Sequence, residues 1–373
     1  MSSYKISFFA SGNGDSVLLE AAGTTIMTDI HYCQGHADED DDSKPDFADT
    51  IRKACADDKL DVFVLTHPDK DHVRGAGEIF HLDTPGEWDD DPDDGDPKIL
   101  IKEIWCSNYA VEQAYETAEA KPLLDEIKRR KELQGTGVEK EDGNRLKILS
   151  VDGAEVSGTV GNASWRLLAP TDDEADVPPP AEGQPRESCN RTSLGIQWTV
   201  NVYGKNNKIL LLGDATVEVL ERVKEQFAEA EPSALEWNIL LAPHHCSRRS
   251  IGRVTNPGKD EEFEESEDAL KALSSQLGDG YIVSSSRRFG REKSPPSSCA
   301  KNRYLKILAR TDNLKLVNDS DRARFLVTGG DTKNAPEHVV FELTARGPSL
   351  KKQGKSTSSP ALVSAVGGGG SYG

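Results

Sequence analysis

Short apolar runs separated by polar turns dominate the first part of the chain. KISFFAS (5–11), SVLLEA (16–21) and TTIMTDI (24–30) predict three short strands, with GNGDS (12–16) between the first two and Gly23 before the third. A helix is expected around FADTIRKACAD (47–57), then a strand at DVFVLT (61–66). KILIKEIWCS (98–107), NRLKILS (144–150) and SWRLLAP (164–170) read as strands, and VEQAYETAEAKPLLDEIKRRKELQ (111–134) has helical spacing. Farther on, TSLGIQWTVNVYG (192–204), KILLLGD (208–214), WNILLAP (237–243) and GYIVSSS (280–286) predict strands. Helices are expected near TVEVLERVKEQFAEA (216–230), EDALKALSSQL (267–277) and KNRYLKILAR (301–310), and RARFLVTG and HVVFELTA finish the ordered part. Strands outnumber helices and come in runs, which predicts an α/β chain of two layered sheets with helices outside.

From about Gly347 the composition turns Gly-, Ser- and Lys-rich, so residues 347–373 read as a disordered tail after one domain over 1–346. The end of that tail, SAVGGGGSYG, reads first as a flexible spacer; the alternatives are an engineered linker or a handle for processing or conjugation to a protein partner. No apolar run approaches the roughly 20 residues a membrane span needs. The first residues read directly as a strand rather than as a secretion signal, so a cytoplasmic, non-membrane protein is expected. Six cysteines are scattered without a CxxC pair and are expected to stay reduced.

Net charge is −19, which disfavours non-specific adhesion to nucleic acid. The acid is concentrated in HADEDDDSKPD (36–46), DDDPDDGDP (89–97), TDDEADVPPP (171–180) and KDEEFEESED (259–268), all read as solvated insertions. The overall charge therefore leaves open what a local site binds.

The chemistry gathers at strand ends. FVLTHPDKDHVRGAG (63–77) runs from three apolar residues and a threonine into His67, Asp69, Asp71 and His72, side chains that are costly to desolvate without partners. KILLLGDAT ends another buried-looking run at Asp214, and NILLAPHHCS ends a third at His244 and His245. Imidazole and carboxylate together suit divalent Zn, Mn or Fe, whereas an all-oxygen set suits Mg or Ca. Asp214 alone also fits a helix N-cap before ATVEVLERV.

On these motifs the chain resembles the metallo-β-lactamase-fold hydrolases, whose signature is T-H-x-H-x-D-H. It stands here as Thr66-His67-Pro68-Asp69-Lys70-Asp71-His72, with Asp69 at the usual second histidine. With GNGDS upstream and APHHCS downstream, the order is similar to that in the hydrolase domain of competence DNA-uptake channels. The resemblance implies a four-layer αββα sandwich, here with acidic and helical insertions. It also implies one or two divalent transition ions, Zn or Mn, on His67, Asp69, Asp71, His72, Asp214 and one of His244 and His245. Asp71 and Asp214 would be the catalytic carboxylates, Asp71 orienting the attacking water and Asp214 bridging if two ions bind. A metal-bound hydroxide would then be the nucleophile. The chain departs from the family by having no histidine between residues 82 and 243, where SCNRTSLGIQW stands in its place.

GNGDS, with Asp15, reads as a tight turn, and Asp29 and His31 as supporting residues at a strand end. Asn190 and Ser193 offer polar contacts but read first as a strand start; His36, His81 and His338 read as ordinary loop or surface residues. Arg248 and Arg249 follow the histidine pair, and Arg287 and Arg288 lie in a loop reaching the same edge. Guanidinium forks match phosphate oxygens, so the expected substrate is an anionic phosphodiester, a nucleic acid or nucleotide. Hydrolysis of esters, thioesters or peptide-like bonds is the alternative, and a non-catalytic, weakly metal-binding module is the other.

Overall fold

The structure is a computed structural model, and it describes residues 3–32, 45–89, 97–112, 117–178, 189–255, 262–290, 295–330 and 334–351. Seven strands come first: β1 (Tyr4–Phe8), β2 (Val17–Ala21), β3 (Thr24–Thr28), β4 (Lys59–Val64), β5 (Phe80–His81), β6 (Ile99–Cys106) and β7 (Arg145–Ile148). A second series follows: β8 (Ser157–Val160), β9 (Ala163–Ala169), β10 (Gly195–Val202), β11 (Lys205–Leu211) and β12 (Trp237–Leu241). A small hairpin, β13 (Gly252–Thr255) and β14 (Glu262–Glu265), precedes β15 (Gln276–Ser284) and β16 (Phe325–Val327). The chain then returns to the first sheet through β17 (Val339–Thr344) and β18 (Gly347–Lys351).

The first sheet has the order β18-β17-β1-β2-β3-β4-β6-β5, with β7 also on β6; the second runs β16-β15-β12-β11-β10-β9-β8. The apolar runs are continuous because both faces of the central strands are covered. Ile209 and Leu211 point between the sheets, where they meet Ile6, Val62 and Val64, while Leu210 points outward to Leu220, Val223 and Phe227. The same alternation sends Ile239 and Leu241 inward and Leu240 outward. On the far side, Phe63, Ile101 and Ile104 of the first sheet pack against Ile51, Leu123, Leu124 and Ile127. Three apolar cores between four layers make an αββα sandwich, as the strand runs predict. Its inter-sheet core carries Trp105 stacked 5.8 Å from Trp198 and tilted 4.9 Å from Trp165.

Several boundaries differ from the sequence reading. The predicted helix over 111–134 is two described helices, Asn108–Glu112 and Lys121–Glu132, the second with Pro122 in its first turn, where the missing donor costs no helical bond. Acidic stretches read as solvated insertions are partly built. Asp172–Ala175 is a helical turn closed by a capping box between Thr171 and Glu174, and Arg222 binds the same Glu174. Thr171→Ala is therefore expected to lower stability by about 1 kcal/mol, read from the chemical-denaturation midpoint. Likewise β14 and the Ser266 cap occupy 262–266. The tail does not begin at Gly347, because 347–351 pair with β17 as an edge strand that accommodates Pro348. The remainder of the tail (352–373), 36–44 and 90–96 lie outside the described residues. Among the described residues, five cysteines are free, and no helix is long and apolar enough to cross a membrane.

Candidate metal centre

Parallel pairing decides where the site falls. β3 runs parallel to β4, and β11 parallel to β12 and thence to β15, so their carboxyl ends share one edge. Open α/β sheets bind ligands beyond those ends. Asp29 follows β3, His67 follows β4, Asp214 follows β11, His244 and His245 follow β12, and Ser285 follows β15.

Asp214, 3% exposed, is the centre of the cluster. Its Oδ1 faces His72 Nε2 at 3.2 Å and His245 Nε2 at 3.6 Å, and its Oδ2 faces His244 Nε2 at 3.5 Å and His67 Nε2 at 3.9 Å. Asp71 Oδ2 lies 3.2 Å from His245 Nε2, and Asp69 Oδ2 lies 3.7 Å from His67 Nε2. Both histidines of the 244–245 pair thus reach the carboxylate, although a single one was expected. Asp214 is not a helix cap: Thr216 holds that position before Val217–Phe227.

The second nitrogen of each ring fixes the tautomer. His72 Nδ1 donates to Asp29 Oδ2 at 2.7 Å, and His245 Nδ1 donates to the Ser285 carbonyl at 3.0 Å. Thr66 Oγ1 donates to Asp29 Oδ2 at 2.6 Å, which leaves that hydroxyl to accept from His67 Nδ1 at 3.1 Å. Three Nε2 atoms are thereby turned toward Asp214. His67 Nε2, His72 Nε2, Asp214 Oδ1 and Asp15 Oδ1 are buried and make no hydrogen bond. A buried polar atom left without a partner costs about 1–3 kcal/mol, so four in one cluster call for an electrophile. Such nitrogen and carboxylate donors suit a divalent transition ion, and subsets of His67, Asp71, His72, Asp214 and His245 lie within 4.8 Å of one another.

The charges agree. Burial would raise the pKa of Asp214, but His244, His245 and His72 outweigh it and hold the carboxyl well below its usual range. Burial would likewise make His72 and His245 neutral, yet Asp214, with Asp29 beside the first ring and Asp15 and Asp71 beside the second, keeps both pKa values well above ordinary. His67 and His244 go the other way, lowered chiefly by burial. Asp29, wholly buried, is raised by desolvation despite its bonds to His72 and Thr66.

The backbone is bent to achieve this. Asp29, His244, His245 and Cys246 have φ of 55°, 51°, 52° and 64°, a left-handed region that non-glycine residues occupy at a cost of about 1–3 kcal/mol and mostly at functional sites. Gly14 explains GNGDS: a Cβ there would lie 2.1 Å from His31 Nδ1 and 2.8 Å from the Asp71 carbonyl. The turn carries Asp15, whose amide donates to that same carbonyl at 3.1 Å. His31 is buried beside it and donates its amide to Ser16 Oγ at 2.8 Å.

Other expectations need correction. Asn190 and Ser193 are not a plain strand start: 189–192 is a short 3-10 turn and β10 begins at Gly195. Asn190 Nδ2 lies 3.3 Å from His244 Nδ1, while Ser193 Oγ lies 3.3 Å from His67 Nδ1 and accepts from the Asp214 amide at 3.2 Å. His338 is no ordinary surface residue, since it accepts from the Ala10 amide and packs edge-on to Phe9. The arginines are dispersed. Arg248 sits over the Phe263 ring at 5.7 Å, Arg249 and Arg288 are exposed, and the Arg287 amide donates to Asn13 Oδ1 at 2.8 Å. Arg253, four residues beyond Arg249, is paired with Glu218 and Glu221. Sequence reasoning missed Thr66, Ser285 and Cys189; the thiol of Cys189 donates to Asp69 Oδ1 at 3.0 Å.

No family model matches the sequence, and no curated protein matches it. Solved structures with a similar fold include the metallo-β-lactamase-fold protein YhfI from Bacillus subtilis, at 12% identity, covering 91% of this chain and 99% of that one with a TM-score of 0.39. Unliganded yeast PDE1 is similar at 11% identity, covering 92% and 100% with a TM-score of 0.41. A diphosphatase from the PhnP family is similar at 10% identity, covering 75% and 85% with a TM-score of 0.32. The similar structures include proteins described as having the metallo-β-lactamase fold or as metallo-β-lactamases, a likeness in fold alone.

Proposed function

We propose that the protein is a metal-dependent hydrolase acting on a phosphodiester, with a nucleic acid or nucleotide as its substrate class. One observation carries the metal half of this reading: three imidazoles, locked by their Nδ1 bonds, turn their Nε2 atoms on one buried carboxylate. His67, His72, Asp71, Asp214 and His245 would hold the ion, with Asp69 and His244 alongside. A divalent cation lowers the pKa of bound water from 15.7 to about 7 and stabilises charge developing on a phosphoryl oxygen.

The protein's own groups do the rest. Asp71 is 36% exposed at its side chain and Asp69 29%, against 4% for Asp214, so the cluster opens to solvent on the Asp69–Asp71 side. Asp71 Oδ2, oriented by His245, would accept a proton from an attacking water. Exposed Arg249 and Arg288 lie on the loops that follow His245 and Ser285 and would hold phosphate oxygens. The GNGD, THPDKDH, GD and PHHCS order favours a DNA-type substrate, through its similarity to the competence hydrolase domain.

A panel of phosphodiester, nucleic-acid and carboxylic-ester substrates, assayed with Zn or Mn, tests it. Turnover of esters alone would contradict the substrate class. If the two exposed arginines hold phosphate, Arg249→Ala with Arg288→Ala should raise KM for an anionic substrate about tenfold or more, since a charge-assisted hydrogen bond is worth about 1.5–3 kcal/mol. Metal content should not change. An unaltered KM would remove these residues from substrate binding.

A further inference from the structure

We infer that Cys189 is itself a metal ligand, joining His67 and Asp69 to make the His67 side of the cluster sulfur-containing. This rests on the reading that the centre binds a transition ion. The two sides of Asp214 are unequally supplied. Its Oδ1 side has His72, His245 and Asp71. On the Oδ2 side are His244 and His67, with Asp69 against the latter. Of these, His244 is drawn toward Asn190 by contacts of 3.3 and 3.5 Å. His67 Nε2, fully buried and without a hydrogen bond, points into the gap between Asp69 and Asp214.

Cys189 Sγ lies on the same side, beside His67 and Asp69. A ligand atom from each of His67, Asp69 and Cys189 lies within 4.8 Å of the other two. A tetrahedral ion with bonds of about 2.0–2.3 Å separates its ligand atoms by roughly 3.3–3.8 Å, so small side-chain rotations suffice. The thiol is also fixed in place. Cys189 is fully buried against Tyr109 and Val177, and Thr192 Oγ1 donates to its carbonyl at 2.7 Å, closing the turn that presents it. The S–H now points at Asp69 Oδ1, a direction the ion would take over, with the thiol proton leaving to solvent.

A thiolate here makes the His67 side soft, favouring zinc or cadmium over manganese and magnesium. The Oδ1 side keeps a nitrogen and oxygen set that accepts manganese. Cys189 is thus a specificity-determining residue, and the two half-sites are unequal.

Cadmium reports sulfur ligation through a sulfur-to-metal charge-transfer absorption in the near ultraviolet. The full chain with Cys33→Ser and Cys299→Ser would be compared with the same protein carrying Cys189→Ser or Cys189→Ala. The remaining cysteines compete poorly, since burial pushes the Cys55 and Cys106 thiols up to about 12 and raises that of Cys246. Bound cadmium is counted by elemental analysis in each. The parent should show the band, and both Cys189 variants should lose it while retaining an ion on the His72 side. Affinity for the ion lost with the band should fall about a hundredfold. Uptake of cadmium by the parent without the band, or an undiminished band in a folded Cys189 variant, overturns the assignment and leaves the metal centre standing. A folded parent that takes up neither cadmium nor zinc overturns the metal reading itself.

Discussion

Asp214→Asn is expected to lose at least one bound ion and to lower hydrolysis by on the order of 10³-fold, about 4 kcal/mol of transition-state stabilisation. The expectation follows from position. Each oxygen of Asp214 faces a different pair of imidazoles, so no neighbouring residue can replace it on both sides. An amide keeps the size but removes the charge that His72, His244 and His245 surround. Losing that charge would weaken the attraction that assembles a cation site. The fold should survive, because the Asp214 amide still donates to Ser193 Oγ and the adjoining core is apolar. Metal content by elemental analysis, beside steady-state rates and the denaturation midpoint, checks all three parts. Full metal content with full activity would show that Asp214 is an acidic bystander.

Asp29→Asn should act at a distance. Asp29 does not reach the Nε2 side of the cluster; it holds His72 Nδ1, the Thr66 hydroxyl and the Thr66 amide at 2.7, 2.6 and 2.7 Å. One carboxylate thus orients His72 directly and His67 through Thr66. An asparagine oxygen can keep the Thr66 amide, but its NH₂ group would face the His72 N–H as donor against donor. His72 would turn or change tautomer, and metal affinity should fall about tenfold to a hundredfold. Substrate KM at saturating metal should move little. That split between metal affinity and KM separates a positioning role from substrate contact, and unchanged metal affinity would refute the positioning role.

Strand positions were legible because both sheets are covered on both faces, which writes runs such as KILLLGD and WNILLAP into the chain. The carboxylates and imidazoles were legible for a related reason: ionisable residues directly after such runs have no cheap structural explanation. Their supports were not. Thr66, Ser193 and Ser285 are residue types found in any turn, and only tertiary contact shows Ser285 offering a carbonyl to His245. Cys189 escaped because cysteines were weighed by spacing for disulfides, although its place beside Asn190, in a stretch lacking histidine, was a usable signal. Arg248 could not be placed without knowing that an acid-rich segment folds into β14 and presents Phe263. The last strand was hidden by its composition, since Gly-Pro-Ser reads as linker until β17 supplies a partner edge.

The Nε2 atoms of His67, His72 and His245 converge on Asp214, an arrangement proposed to hold a divalent transition ion. Anomalous diffraction from crystals of zinc-reconstituted protein, collected on both sides of the zinc absorption edge, tests it most directly. One or two anomalous peaks are expected within bonding distance of those nitrogens and of Asp214, the first between His72, His245 and Asp71. A well-ordered cluster with no anomalous peak at those atoms, in protein supplied with excess zinc and manganese, would contradict it.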